Sequence, residues 1–248
     1  MKSIEEVIQR LDEIILQEES QASALAYFAI LYRHMTSRVL QGVRNHQFQD
    51  ADRMVRLDIE FAQRYFEAYN AFKSNRPLTQ SWQLAFSAST RHSPIVLQHL
   101  LLGINAHINL DLAIAAALVA PKDSIHQLRS DFDQINVVIS ELLDEVQSKL
   151  QKIWWPLRYL RRIVNDQQEP VINFSIASAR KASWGNAVAL AELADPMQAR
   201  ETYIRNLDLV VARLAKGILQ PGFWIQTTLR LIRMTEPSDK NAIIQILK

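Results

Sequence analysis

Between Pro94 and Ala120 the chain carries one charged side chain, Asp111, in an otherwise apolar stretch that also holds Gln98, His99, Asn105, His107 and Asn109. At 100° per residue, His99, Gly103, His107 and Asp111 follow one another at i,i+4 and form a slowly turning stripe. Gln98, Asn105 and Asn109 form a second polar stripe on a different face. Imidazole nitrogen and carboxylate oxygen are good ligands for zinc, iron or manganese. The same pair can also act as a general base (His107) oriented by a carboxylate (Asp111). Three readings stay open: a metal site, a catalytic pocket without metal, and polar side chains that only satisfy backbone groups in a helical core.

A metal site needs ligands from other helices. In Arg56-Leu-Asp-Ile-Glu-Phe-Ala, Asp58 and Glu60 are two apart and cannot share a helix face. Asp58, in register with Ala62 and Phe66, is the one expected to point inward. The expected metal set is therefore His99, His107, Asp111 and Asp58, holding a divalent cation such as zinc or iron. The expected catalytic set is His107 and Asp111, with Asn105 and Asn109 fixing substrate groups. Gly103, between the two histidines, leaves space for a ligand, an ion or another helix. His34, His46, His92 and His126 are scattered and read as surface or boundary residues. HExxH and paired ExxH motifs are absent, and so is the G-x-S-x-G elbow.

Arg180 and Trp184 are i,i+4 in Ser178-Ala-Arg-Lys-Ala-Ser-Trp. They read either as a guanidinium stacked at the mouth of the same pocket or as a snorkelling Arg over a half-buried ring. Trp154-Trp-Pro-Leu-Arg-Tyr-Leu-Arg-Arg162 mixes aromatic and basic residues, as a helix turn anchored to the core, a lipid contact or a subunit contact would.

The run Gln98-His-Leu-Leu-Leu-Gly-Ile-Asn-Ala-His-Ile-Asn-Leu-Asp111 resembles the signature of a bacterial and fungal helical family catalogued as domain of unknown function 5995. Asp58-x-x-Phe61-Ala62-x-x-Tyr65, Trp82-x-x-Ala85-Phe86 and Arg180-x-x-x-Trp184 are similar to segments of that family too. Together these cover about residues 27–195. The resemblance implies an all-α fold and draws attention to the 94–120 helix, with no activity attached. A looser similarity links His107 and Asp111 to the His-x-x-x-Asp zinc pair of the helical zinc phospholipase C and nuclease group. The rest of that group's His-rich pattern is missing here.

The elements that must position these residues are helical. Of 248 residues, 48% are hydrophobic and 22% charged, the composition of a globular chain. Only 5 are Gly and none is Cys, which argues against a many-stranded β fold and excludes Gly-rich phosphate loops, disulfides and thiolate chemistry. Ser3 and Glu6 pattern as a capping box opening a helix to about Glu19. Helices are expected over about 21–45, from Asp50 to about Phe72, and over a short segment after Thr79 that contains Trp82 and Phe86. Ser93-Pro94 reads as cap-then-Pro at the start of the central helix. Beyond Pro121, a long helix from Asp123 to about Lys152 is expected, then a kink at Pro156. Further helices run from Pro170 to about Ala194, from Asp195-Pro196 to about Leu219, from Phe223 to Met234 and from Ser238 to Leu247. The expected architecture is one all-α domain over 1–248, a bundle of roughly ten helices around a buried central helix.

Lys and Arg number 28 against 26 Asp and Glu, a net charge of +2 spread along helices, so no nucleic-acid partner is expected. The N-terminal stretch lacks an apolar h-region and a small-residue cleavage site, which gives a cytoplasmic expectation. The polar load of the 94–120 segment makes a membrane span costly. The functional expectation is a small-molecule enzyme with a buried His/Asn/Asp pocket, hydrolase-like or cyclase/lyase-like. The alternative is a non-catalytic helical binding or interaction module, homo-oligomeric assembly being compatible with both.

Overall fold

In the computed structural model, the described residues are 1–135, 148–150, 152–153, 176–193 and 197–248, with the side chains of 176 and 177 left aside. Among them there is no strand. The helices are α1 (Ile4–Ser20), α2 (Leu25–Arg44), α3 (Ala51–Lys73), α4 (Gln80–Ser87), α5 (Val96–Ala106), α6 (Leu112–Val119), α7 (Ile176–Glu192), α8 (Met197–Leu219), α9 (Phe223–Thr235) and α10 (Lys240–Leu247). A π-helical turn, His107–Asp111, joins α5 to α6, and a 3₁₀ segment, Lys122–Leu128, follows Pro121. The Trp154–Arg162 segment, the kink at Pro156 and the start at Pro170 lie outside the described residues.

The chain closes its first three helices in the same way. Ala22, His46 and Asn75 sit two residues past α1, α2 and α3 with φ of 46°, 54° and 53°. The backbone bonds Ser23 N–H to Glu18 O, Gln47 N–H to Gly42 O and Arg76 N–H to Ala71 O complete Schellman closures at all three. Left-handed C′ positions usually take Gly; here Ala, His and Asn occupy them, which is how a chain with so few glycines still turns tightly. α2 therefore starts at Leu25, four residues after the expected Gln21, because Ala22 turns the chain first.

Helix starts are held by acids from elsewhere in the fold. Asp208 on α8 accepts from Gln80 N (2.7 Å), Ser81 N (3.0 Å) and Ser81 Oγ (2.7 Å) at the head of α4. Asp131 accepts from Gln49 N (2.6 Å) and Asp50 N (3.0 Å) ahead of α3. Glu236 accepts from Val96 N at 3.3 Å with both oxygens at the head of α5. This last contact moves the central helix start from Ser93-Pro94 to Val96: Gln98 Oε1 takes the Ile95 N–H at 3.1 Å, so Ser93 is not the cap. A distant carboxylate at a helix N-terminus satisfies free N–H groups and meets the positive end of the dipole.

The central helix, Val96–Val119 counted through its π turn, is 24 residues long and apolar enough to cross a bilayer, but most of it is buried against its neighbours. α5 packs against α2, α4 and α8; α6 packs against α3 and α7. The Ala-rich face of α6 (Ala113, Ala115, Ala116, Ala117) meets Ala179, Ala187 and Ala191 of α7 in one core cluster, small residues permitting close approach. A second cluster gathers α1, α2, α3, α4 and α10 around Tyr27, Phe28, Tyr65 and Trp82. The π turn lies where the two clusters meet.

Candidate functional site

The π turn is where the polar residues converge. The Leu112 N–H reaches back five residues to the His107 carbonyl, one residue more than an α-helix allows. Such bulges occur mostly as single turns and are frequent at functional sites. His107 and Asp111, at the two ends of the turn, are 3% and 1% exposed. Asp111 Oδ2 lies 3.1 Å from His107 Nδ1 and accepts from Trp82 Nε1 at 2.8 Å. Its other oxygen accepts from Arg64 Nε at 3.3 Å. A carboxylate that accepts from an indole N–H and pairs with a guanidinium offers lone pairs only, so His107 Nδ1 carries the proton. Nε2 then holds the free lone pair. Burial pushes the His107 pKa down; the hydrogen bond and charge of Asp111 oppose this, and Arg64 adds to the lowering. The imidazole is neutral, and the Asp fixes its tautomer.

The ring is encased by aromatics. Phe61 stacks flat on it, with centroids 3.5 Å apart and planes 8° from parallel. Tyr32 stands edge-on at 4.5 Å, and Phe28, Tyr65 and Trp82 lie within 6.0 Å. Phe61 is itself half-buried.

The buried polar atoms without a well-formed hydrogen bond include His107 Nε2 and, on α2 and α3, Tyr32 Oη, Thr36 Oγ1 and Asp58 Oδ2, the Tyr32 and Thr36 hydroxyls lying close enough to interact with one another. Thr36 is one turn from Tyr32 on α2, and Asp58 is one turn from Phe61 on α3. Burial raises the Tyr32 pKa well above the usual phenol range, the charges of Asp58 and Asp111 raise it further, and the Thr36 hydroxyl beside it opposes the shift. Burial alone pushes Asp58 up to about 7. Each such unsatisfied group costs about 1–3 kcal/mol in a folded protein.

This shift fixes a sign for stability against pH. With a folded pKa of about 7 against a usual 3.8, Asp58 binds more protons in the folded state between those values. Its contribution to stability therefore falls as pH rises from about 4 to about 7 and stays at its minimum above that. Asp58→Asn is expected to equal the wild type near pH 4 and to exceed it in urea-unfolding free energy at pH 8. A gap that does not widen with pH would show that the Asp58 carboxyl ionises freely in the folded state.

The other expected site residues lie elsewhere. His99 shares the α5 face with His107, eight residues or about 12 Å earlier along the helix, and faces Tyr27 with ring centroids 5.8 Å apart. Between the two histidines Gly103 leaves no ligand space: Phe28 fills it, and a Cβ built at 103 would lie 2.3 Å from Phe28 Cγ and Cδ2. The four-residue metal set is accordingly not assembled, and among the described residues no three His, Asp or Glu side chains group as metal ligands. His107 and Asp111 turn their facing atoms on one another.

Asn105 is directed to α8, and Asn109 to Asn105. Asn105 Nδ2 donates to Val211 O at 3.0 Å, and Asn109 Nδ2 donates to Asn105 Oδ1 at 3.0 Å. Gln98 Nε2 likewise donates to Ile218 O at 2.6 Å. This polar stripe pins α8 to α5 and does not meet His107. Arg180, 3% exposed, holds the Phe132 carbonyl and stacks 4.3 Å above the Phe132 ring. Burial lowers its pKa to about 10. Trp184 packs against Phe132 at 5.0 Å and under Arg129 at 4.9 Å. Their ring partners are none of those that encase His107, although α7 itself packs beside the π turn.

Trp82, Arg64, Tyr32 and Thr36 were not among the expected site residues. Trp82 had a signal: a buried indole N–H needs an acceptor, and Asp111 was an acid already expected to be buried. Arg64, Tyr32 and Thr36 had none, since each lies on an amphipathic helix whose register does not say which distant helix it meets.

Phe61, Tyr65, Trp82, His107 and Asp111, spread from residue 61 to residue 111, thus meet around one imidazole. No curated protein and no solved structure matches this chain. Residues 4–221 match the family of unknown function DUF5995, and the chain belongs to it.

Proposed function

We propose, with membership of this family as the premise, that the chain is an acid–base enzyme acting on a small polar molecule bound against His107 Nε2. The supporting observation is His107 Nε2, a buried atom without a partner at a π turn, with Tyr32 edge-on to its ring and the buried Thr36 hydroxyl and Asp58 carboxyl on the same two helices, α2 and α3. Groups left unsatisfied at that cost are characteristic of a site that completes its hydrogen bonds with a ligand.

In this reading, Nε2 takes a proton from the substrate, and the charge that develops on the imidazole is met by Asp111. Trp82 and Arg64 hold Asp111 in place, so no reorganisation is needed when the proton moves. Tyr32 and Thr36 donate to substrate oxygens, and Asp58 takes part as a neutral acid below about pH 7. Phe61 rotates aside to admit the molecule. Proton abstraction of this kind serves hydrolysis, elimination or ring closure alike. The other reading, a non-catalytic module whose polar central helix is structural, is favoured by the way Gln98 and Asn105 spend themselves on α8 and Asn109 on Asn105.

His107→Asn separates the two. The Asn amide overlays Nδ1 and keeps the donor to Asp111, while Nε2 is removed. A thermal-shift screen of small polar metabolites against the full chain is expected to yield ligands that stabilise the wild type. Their binding or turnover should fall at least 100-fold in His107→Asn, consistent with loss of a general base. Ligands that bind both proteins equally, or no ligand alongside a variant that merely melts lower, would leave the structural reading standing.

A further inference from the structure

A small open cavity with about 20 Å3 of internal room lies at the other end of α5 from the π turn. Its lining includes Tyr27, Arg91, His99, Arg233, Glu236 and Lys240. Three cations against one carboxylate leave an excess of two positive charges in the lining. The carboxylate is already committed: Glu236 accepts from Val96 N and lies 3.5 Å from Arg233 Nη1. Arg233 also donates through Nε to His92 O at 2.8 Å. Arg91 makes no ion pair and no side-chain hydrogen bond among the described residues, and Lys240 Nζ reaches only Ser89 O, at 3.5 Å.

The floor supplies neutral donors. Tyr27 is 3% exposed, and its hydroxyl has no hydrogen-bond partner among the described residues. Burial first, then the charge of Glu236, keeps that phenol protonated. His99 likewise makes no side-chain hydrogen bond among the described residues. Burial, with Lys240 and Arg233 nearby, lowers its pKa to about 4, so it is a neutral ring with an N–H to offer. A pocket-facing hydroxyl and an imidazole N–H without protein partners, below a ring of under-compensated cations, form a donor set suited to an anionic acceptor.

We infer that this cavity binds the phosphate group of a small soluble molecule, seated on Tyr27 and His99 and clamped by Arg91, Arg233 and Lys240. A phosphate monoester carries about −1.5 to −2 charges near pH 7, which matches the excess in the lining; a single carboxylate would match half of it. Arg233, Glu236 and Lys240 lie beyond residue 221, where the family match ends. The site is therefore completed by the C-terminal helices of this chain. It is separate from the proposed chemistry at His107, with Phe28 and about two helical turns between them.

The test is thermal melting of the full chain in phosphate-free buffer, titrated with inorganic phosphate, with glycerol phosphate, and with sodium chloride at matched ionic strength. The expected result is a saturable rise in Tm with both phosphates and none with chloride. In Arg91→Gln/Lys240→Gln, a change at the rim of the cavity, the apparent Kd should weaken at least ten-fold while the ligand-free Tm stays that of the wild type. Tyr27→Phe, which removes only the hydroxyl, should weaken binding as well. An equal shift with chloride, or an undiminished shift in the double variant, would overturn the proposal. So would binding to phosphatidate vesicles with no response to either soluble phosphate.

Discussion

Asp111→Ala is expected to lower the unfolding free energy by about 3–5 kcal/mol, the cost of removing one partner from a buried, charged network. Asp111 is 1% exposed and is the acceptor for three donors from three places: Trp82 Nε1 on α4, His107 Nδ1 at the start of the π turn and Arg64 Nε on α3. Alanine leaves an indole N–H and an imidazole N–H unpaired in the core and a guanidinium, 23% exposed at its side chain, without its counter-charge. Asp111→Asn keeps the shape and one acceptor oxygen, so its cost should be smaller, about 1–3 kcal/mol. Urea unfolding followed by Trp fluorescence reads both. Loss of Asp111 should also blue-shift or broaden the emission of Trp82, whose N–H loses its partner. A drop below 1 kcal/mol for Asp111→Ala would mean that the three donors find water or one another, and that the carboxylate does not hold the site together.

Gly103→Ala should destabilise by about 2–3 kcal/mol, against the direction that helix propensity alone predicts. In an exposed helix the change would gain about 1 kcal/mol. Here the added Cβ would sit 2.3 Å from Phe28 Cγ and Cδ2 and 2.9 Å from Phe28 Cβ. The clash reaches the root of the Phe28 side chain, so a rotamer change cannot relieve it and α2 must move away from α5. Overpacking of a dense core by one methyl group costs about 1–3 kcal/mol. Phe28 also touches Tyr32, Tyr65, Trp82 and His107, so a shift of α2 disturbs the whole aromatic case of the imidazole. In a Phe28→Ala background Gly103→Ala should cost less, since Cγ and Cδ2, the atoms struck most closely, are gone. A double-mutant cycle with a coupling energy near zero would place the clash elsewhere.

These two residues also show what the amino-acid sequence could and could not determine. Helical periodicity is a property of neighbouring residues, and it placed α1, α3, the short α4 and the C-terminal helices within a few positions of where they fold. The near absence of charge from 94 to 120 marked the helix that the others surround. The i,i+4 spacing of His107 and Asp111 announced their hydrogen bond, because even across a π turn such side chains remain neighbours. Starts and stops were less legible. Ser93 and Pro94 carry the local signal for a helix start, yet Glu236, 140 residues on, sets it at Val96. Gly103 illustrates the same limit: its missing side chain was visible, but whether a ligand or Phe28 would take the space depends on how closely α2 packs. His99 and His107 share a stripe by local geometry, and only the packing of Phe28 against Gly103 divides that stripe between two sites. Asp111 likewise gains Trp82 and Arg64 from helices whose register says nothing about which neighbour they will meet. Local backbone geometry is written in consecutive residues, whereas the partners of a buried polar atom come from chain segments brought together by burial of apolar faces. Tyr32 stands edge-on to the imidazole for that reason, and only the tertiary structure decided it.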